Sequence, residues 1–380
     1  MPIALTSLFS PELQRLSRIC GIGRGPRAQT GPADSLQELA RQQQVEPLLW
    51  NWQDRALAAA PSPPEWVAQR SQHSATALQL TAETARLGKV FDTANIEVIA
   101  LKGPLLAKQY YGDLALRHVG DIDLLVARDS IDAADVLLQK SGYQRTKPLR
   151  ALSPARFALY VATQHEFGYL DPTTGTAVEL HWRYADAAGL QADTFRALWT
   201  RSTIATVGAV PVRTLAPIDT LMQLAVHGAL DGWSRLKWLA DLPRVAAHTN
   251  SSQIEQLRTR ASTNGLARIL DLALYLAGSD AVTTSVAPWM ERVLEYVAWR
   301  VQNPHPRELA ARARILHSVT CSRYMNALLV DSHLLAQHRY VSQIMPRDFD
   351  ALPLPDVFTP TLPYVARVTR AFRAVARRSG

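Results

Sequence analysis

Six consecutive residues, Asp121-Ile122-Asp123-Leu124-Leu125-Val126, restrict the architecture of this chain more than any other stretch. Their apolar, β-branched content makes a strand. Strand alternation then puts Asp121 and Asp123 on one face, about 6.6–6.8 Å apart along the backbone, and directs Ile122 and Leu124 into a core. Two carboxylates so placed repel each other unless a cation lies between them, and divalent ions bound by oxygen ligands supply that cation, magnesium first among them. An Asp-x-Asp strand taken alone is more often a solvated face. Its surroundings argue for the metal.

Upstream, Ile96, Val98, Ile99 and Leu101 form a short buried-strand pattern that ends at Lys102 and Gly103. Pro104 suits the first turn of a helix continuing through Leu105, Leu106, Lys108 and Tyr111, because no hydrogen bond is lost there. Residues 112–120 read as a loop, and Asp129 or Ser130 as the cap of a helix reaching about Ser141. Two more strands, 167–170 and 177–184, flank the turn Asp171-Pro172-Thr173-Thr174-Gly175. In the second of them Glu179, His181 and Arg183 share one face and Val178, Leu180 and Trp182 the other. Glu179 is the candidate for the third acid that usually completes a two-metal phosphoryl-transfer site, joined to Asp121 by sheet neighbourhood.

Helical periodicity dominates elsewhere. Leu13, Leu16 and Ile19 follow a Ser10-Pro11-Glu12 start, residues 35–60 and 65–87 are helical in composition, and Leu221, Leu224, Ala225 and later Leu236, Leu239, Ala240 form apolar stripes. The expected fold is α+β, a small mixed sheet with flanking helices between two helical regions. The expected boundaries are 1–90 for an N-terminal helical region, 91–215 for the sheet core, 216–345 for a C-terminal helical region and 346–380 for a proline-rich segment with a basic amphipathic tail.

The formal charge of +8 over 380 residues favours an acidic partner, yet Arg367, Arg370, Arg373, Arg377 and Arg378 concentrate much of it in the tail. That tail fits an anionic membrane or nucleic acid, or a docked terminal helix. Two cysteines make no disulfide framework and no cysteine–histidine spacing matches a zinc site. With no secretory start and no apolar stretch of about 18 residues, a cytoplasmic protein without a transmembrane segment is expected.

Leu101-Lys102-Gly103, Arg117, Gly120-Asp121-Ile122-Asp123-Leu124-Leu125-Val126 and Val178-Glu179-Leu180-His181-Trp182-Arg183 together resemble the uncharacterised nucleotidyltransferase family of the polymerase-beta-like superfamily. His227-Gly228 and Arg235-Leu236-Lys237-Trp238-Leu239-Ala240-Asp241 are similar to its helical part. The resemblance implies a polymerase-beta-like nucleotidyltransferase core whose cleft holds a nucleoside triphosphate and magnesium. Two ions are implied, with manganese as a substitute. Asp121 and Asp123 become metal ligands and catalytic groups, with Glu179 as the third, and Lys102, Gly103, Arg117, Arg183 and Lys237 become nucleotide or phosphate contacts. Pro104 stands where the superfamily commonly has a serine, and the Gly103 to Asp121 gap is longer than in many of its members.

The implied reaction moves a nucleoside monophosphate to an acceptor and releases pyrophosphate. The acceptor is open: a small molecule, a sugar, a peptide or a protein hydroxyl, with nucleic acid ranked behind these. A related transferase moving a phosphoryl or glycosyl unit, and a non-enzymatic peptide or nucleic-acid binder with a vestigial site, are the competing readings. Several residues keep two readings. Arg117 grips phosphate or pairs with Asp113, Lys102 meets phosphate or sits at a solvated turn, and Lys237 serves the nucleotide or bridges to Asp241. His181 is left outside the site as a structural residue, and His165 with Glu166 as a hydrogen-bonded loop pair.

Overall fold

The computed structural model describes residues 4–22, 34–56, 63–148, 152–184, 193–207, 210–278 and 288–303. Seven strands, β1 (Val98–Ala100), β2 (Ile122–Val126), β3 (Gln144–Lys147), β4 (Glu166–Leu170), β5 (Ala177–His181), β6 (Thr203–Val207) and β7 (Val210–Thr214), form one mixed sheet in the order β3-β4-β5-β2-β1-β7-β6. The β2–β5 and β1–β7 pairs are parallel and the rest antiparallel. The fold is α+β, as the sequence leads one to expect, with β2 at the centre of the sheet.

Four helices precede the sheet: α1 (Pro11–Ile19), α2 (Asp34–Gln43), α3 (Glu46–Ala56) and α4 (Pro64–Thr93). Within the sheet region lie α5 (Pro104–Leu106), α6 (Ile131–Lys140), α7 (Pro154–Thr163) and α8 (Phe195–Arg201). Five follow it: α9 (Pro217–Asp231), α10 (Leu236–Ala246), α11 (Ser251–Thr263), α12 (Ala267–Leu276) and α13 (Pro288–Gln302). No helix of the described residues is long and apolar enough to cross a membrane. The proline-rich segment and basic tail lie outside the described residues.

Both faces of β2 are buried, and by different partners. Ile122, Leu124 and Val126 join a cluster with Leu87 and Phe91 of α4, Leu138 of α6, and Val178 and Leu180 of β5. Leu125, on the aspartate face, joins a second cluster containing Leu13, Leu49, Leu221, Leu239, Leu270 and Val297. The N-terminal and C-terminal helices therefore share one apolar core that covers the aspartate side of the sheet. Gln43 ties them together, donating to the Val301 carbonyl at 2.7 Å and accepting from the Leu236 amide at 2.9 Å. Removing apolar surface from water on both sides is what fixes the register of so short a strand.

Several local expectations need correction. The helix from Pro104 gives way to a π-helical turn over Ala107–Tyr111. Ser130 makes no side-chain cap, because its backbone is already helical (φ −97°, ψ 0°) at the end of a 3₁₀ turn that contains Asp129. β5 stops at His181, so Arg183 no longer follows the alternation of the strand. β3, β6 and β7 lie where no strand is expected. β3 is a polar edge strand, Gln144-Arg145-Thr146-Lys147, without the apolar alternation that announces a buried one.

Gly228 of α9 marks the tightest packing of the helical body. A Cβ there would lie 2.2 Å from Nε1 of Trp233, which is fully buried. Gly228→Ala is expected to cost about 1–3 kcal/mol or more through overpacking. The measurement is a urea titration, in which the midpoint falls while the slope is kept. An unmoved midpoint would mean that the indole can retreat.

Candidate active site

The β2–β5 register pairs Asp123 with Glu179 and Leu125 with His181. Parallel neighbours at one register point their side chains to the same face, so carboxylates 56 positions apart in the chain become adjacent. Glu179 thus neighbours Asp123 rather than Asp121, one alternation further along the strand than expected. Asp121 precedes the strand, and Asp123 raises its carboxyl pKa by like-charge repulsion, with burial adding to the effect.

Asp123 is 2% exposed. Its Oδ1 stands 3.0 Å from Lys102 Nζ and 3.0 Å from His181 Nε2. Burial opposes its ionisation, but those two cations outweigh burial and hold the carboxyl far below the usual range. His181 gains the complementary effect. Burial alone would depress the imidazole, yet Asp123, Glu179 and Glu166 lift it to about 10 and favour its charged form. Its Nε2 is also 3.4 Å from Glu179, and its Nδ1 is 3.7 Å from Glu166. Glu166 is bound by Lys147 at 2.8 Å and by His165 at 2.9 Å. Lys102 is held charged above its ordinary value by Asp123, Asp121 and Glu179, against the penalty of burial.

The sequence reads His181 as a structural residue outside the site, and the structure sets its imidazole between Asp123, Glu179 and Glu166. The signal was the shared face with Glu179, and an imidazole between acids reads as ambiguous until the partner strand is known. His165 with Glu166 is indeed a hydrogen-bonded pair, but it continues the network through His181 and is not confined to a loop.

Gly103 adopts φ +67°, and a Cβ there would meet the Asp121 carbonyl at 3.1 Å. Glycine therefore lets the β1 turn lie against the start of β2 and carries Lys102 to Asp123. Arg117 is buried and forks onto Asp241 of α10 with two 2.9 Å bonds, while Tyr111 donates to the same carboxylate at 2.6 Å. Asp113 is not its partner, because that side chain accepts from the Ala115 amide. Arg183 donates to the Ala162 and Gln164 carbonyls at the end of α7.

Lys237, one turn before Asp241, makes no ion pair among the described residues. Burial, reinforced by Arg117, lowers its pKa to about 8, and Asp121 and Asp241 act in the opposite direction. His227 of α9 is held down to about 3 by burial and by Lys102. It stands edge-on to the Trp238 ring, with centroids 5.6 Å apart. Three carboxylates from β2, its approach and β5 are thus met by lysines from the β1 turn and from α10.

The sequence matches the family described as uncharacterised nucleotidyltransferase over residues 30–279. The chain belongs to this nucleotidyltransferase family. The match takes in α2 to α12, so the helices on either side of the sheet are part of what the family shares. No match is found among curated proteins.

For a nucleotidyltransferase a divalent cation is the natural counterion, and the residues present fit one. Asp123, Glu179 and His181 bring possible ligand atoms within 4.8 Å of one another, the imidazole joining a metal only when it gives up its proton. Asp123 Oδ2 is buried with no hydrogen-bond partner, a costly state for a carboxylate oxygen unless a cation takes it up. The oxygen donors suit magnesium or manganese.

Proposed function

We propose that this chain transfers a nucleoside monophosphate from a nucleoside triphosphate to an acceptor, with magnesium as the resident cation and pyrophosphate as the leaving group. The observation that carries the reading is the Asp123–Glu179 register. It sets acids from distant segments side by side, next to Asp121 and within the field of Lys102 and Lys237. Asp121, Asp123 and Glu179 would hold the metal, which when bound neutralises the triphosphate and makes its phosphorus more electrophilic.

The chain's own residues divide the remaining work. Lys102 and Lys237 bring positive charge to the phosphates, and the incoming polyanion favours the charged form of Lys237 that burial disfavours. Gly103, where a Cβ would press on the Asp121 carbonyl, keeps the β1 turn against β2 and so holds Lys102 at the carboxylates. His181 fixes the orientation of Asp123 and Glu179, and Glu166 fixes His181 from behind. Arg117, forked onto Asp241 through Nε and one terminal nitrogen, joins α10 to the approach of β2 and so positions Lys237.

The test is label transfer. With triphosphate labelled at the α-phosphorus, label is expected on an acceptor in the presence of magnesium. It should be lost in excess chelator and restored by magnesium or manganese. Movement of γ-label or of a sugar from a nucleotide sugar would instead select the phosphoryl or glycosyl reading. Triphosphate binding absent under all metal conditions would defeat the nucleotidyl reading.

A further inference from the structure

Beside the aspartate pair, the antiparallel β4–β5 register sets Glu166 opposite His181, and the Trp182 amide donates to the His165 carbonyl at 3.0 Å, which brings His165 to the same place. Two imidazoles and one carboxylate thereby converge. One possible ligand atom from each lies within 4.8 Å of the others, and the two ring centroids are 5.5 Å apart. Both rings address a single oxygen: Glu166 Oε2 is 2.9 Å from His165 Nε2 and 3.7 Å from His181 Nδ1. The other oxygen, Oε1, accepts from Lys147 at 2.8 Å.

The decisive atom is His181 Nδ1. His181 is 4% exposed, and its Nδ1 is buried with no hydrogen-bond partner among the described residues. At 3.7 Å it stands too far from Glu166 for a hydrogen bond. The spacing suits two ligands of one ion instead. Zinc bonds of about 2.0–2.2 Å at tetrahedral angles hold neighbouring ligand atoms roughly 3.3–3.6 Å apart. The observed separations of 2.9 and 3.7 Å bracket that span. On the far side of the ring, Nε2 stands 3.0 Å from Asp123 Oδ1. An imidazole that binds a metal through one nitrogen ordinarily gives its other N–H to a carboxylate.

We infer that His165 Nε2, Glu166 Oε2 and His181 Nδ1 form a binding site for one zinc-type transition-metal ion, separate from the magnesium carboxylates and joined to them through the His181 ring. The inference goes beyond nucleotidyl transfer and does not depend on it. Two imidazole nitrogens with one carboxylate oxygen suit zinc and its neighbours and disfavour magnesium, which takes oxygen ligands in an octahedral array. The ion takes the place of the proton that His165 shares with Glu166, while Lys147 stays on Oε1. The metal-bound ring donates its Nε2–H to Asp123, so occupancy of this site fixes the orientation of a carboxylate in the neighbouring one.

The experiment titrates the full chain with zinc alone, after stripping by chelator and in excess magnesium without nucleotide. One zinc per chain is expected, and X-ray absorption at the zinc edge should show two imidazole ligands at about 2.0–2.1 Å. His165→Gln and Glu166→Gln should each weaken zinc binding more than about 100-fold, because losing a direct ligand exceeds the cost of losing an outer partner. His165→Cys, which keeps a zinc ligand, should retain binding, and Asp121→Asn should bind as the wild type does. Zinc should raise the urea midpoint of the wild type and leave that of His165→Gln unmoved. If Glu166→Gln fails to fold, the two His165 variants decide. Wild-type zinc affinity in His165→Gln, or no zinc bound in excess magnesium, overturns the inference. Zinc lost in Asp121→Asn but kept in His165→Gln assigns the ion to the aspartate pair and overturns it equally. Because no nucleotide is present, failure of label transfer leaves this result standing.

Discussion

Asp123→Asn is expected to abolish turnover and to weaken the fold together, whereas Asp121→Asn abolishes turnover alone. Asp123 is the shared partner of two buried cations, Lys102 at 3.0 Å and His181 at 3.0 Å. Removing its charge leaves both facing a neutral amide, and breaking a buried pair from one side costs roughly 3 to 5 kcal/mol. Asp121 has the opposite surroundings. Its carboxyl is pushed up by Asp123, so neutralising it relieves repulsion and leaves stability equal or slightly higher. Both variants should lose more than about 100-fold in metal-dependent transfer, since even outer partners of metal ligands cost about 10- to 100-fold. Urea midpoints and label-transfer rates measured side by side separate the two effects. Equal stability loss in the two variants would contradict the geometry, and retained turnover in both would contradict the function.

Asp241→Asn should be the other large effect, through the fold and at a distance from the carboxylates. Asp241 is fully buried and accepts two bonds from Arg117 and one from Tyr111. Burial works against the charge on Arg117, and Asp241 is what keeps it bound there. A loss of about 3–5 kcal/mol follows from leaving that guanidinium uncompensated. Replacing both partners with apolar residues, Arg117→Met with Asp241→Leu, should restore most of it, because the buried charges then disappear together. If the double variant is no more stable than Asp241→Asn, the pair contributes through packing and not through charge. Transfer activity should stay low in the double variant even where stability returns, because Lys237 loses the α10 anchor that positions it.

The strand, glycine turn and helix around Gly103, the Asp121–Asp123 alternation and the Glu179 strand were all legible, because each depends on short-range periodicity. The positions of Lys102 and Gly103 followed from the same turn. Arg117 and Arg183, expected from the sequence at the phosphates, both meet protein partners, for different physical reasons. Arginine near acids invites a phosphate reading, and Asp241, 124 positions away in the chain, is invisible as a partner until α10 docks. For Arg183, strand alternation was carried two residues past the end of β5, where the backbone turns and the side chain meets α7. His181 was discounted because a histidine beside tryptophan on a strand has many structural uses. Its two acidic neighbours across the sheet, Asp123 and Glu166, come from β2 and β4.

The sequence by itself determined the family, the α+β class and which face of β2 bears the acids, since these follow from residue order over a few positions and from strand geometry. The tertiary structure alone decided the partners: Glu179 opposite Asp123, the Lys102 and His181 pair on one carboxylate oxygen, and Asp241 beneath Arg117. The physical reason is that charges in water are indifferent to most distant residues, while a buried charge must find a partner, and which partner it finds is settled by sheet register and helix docking.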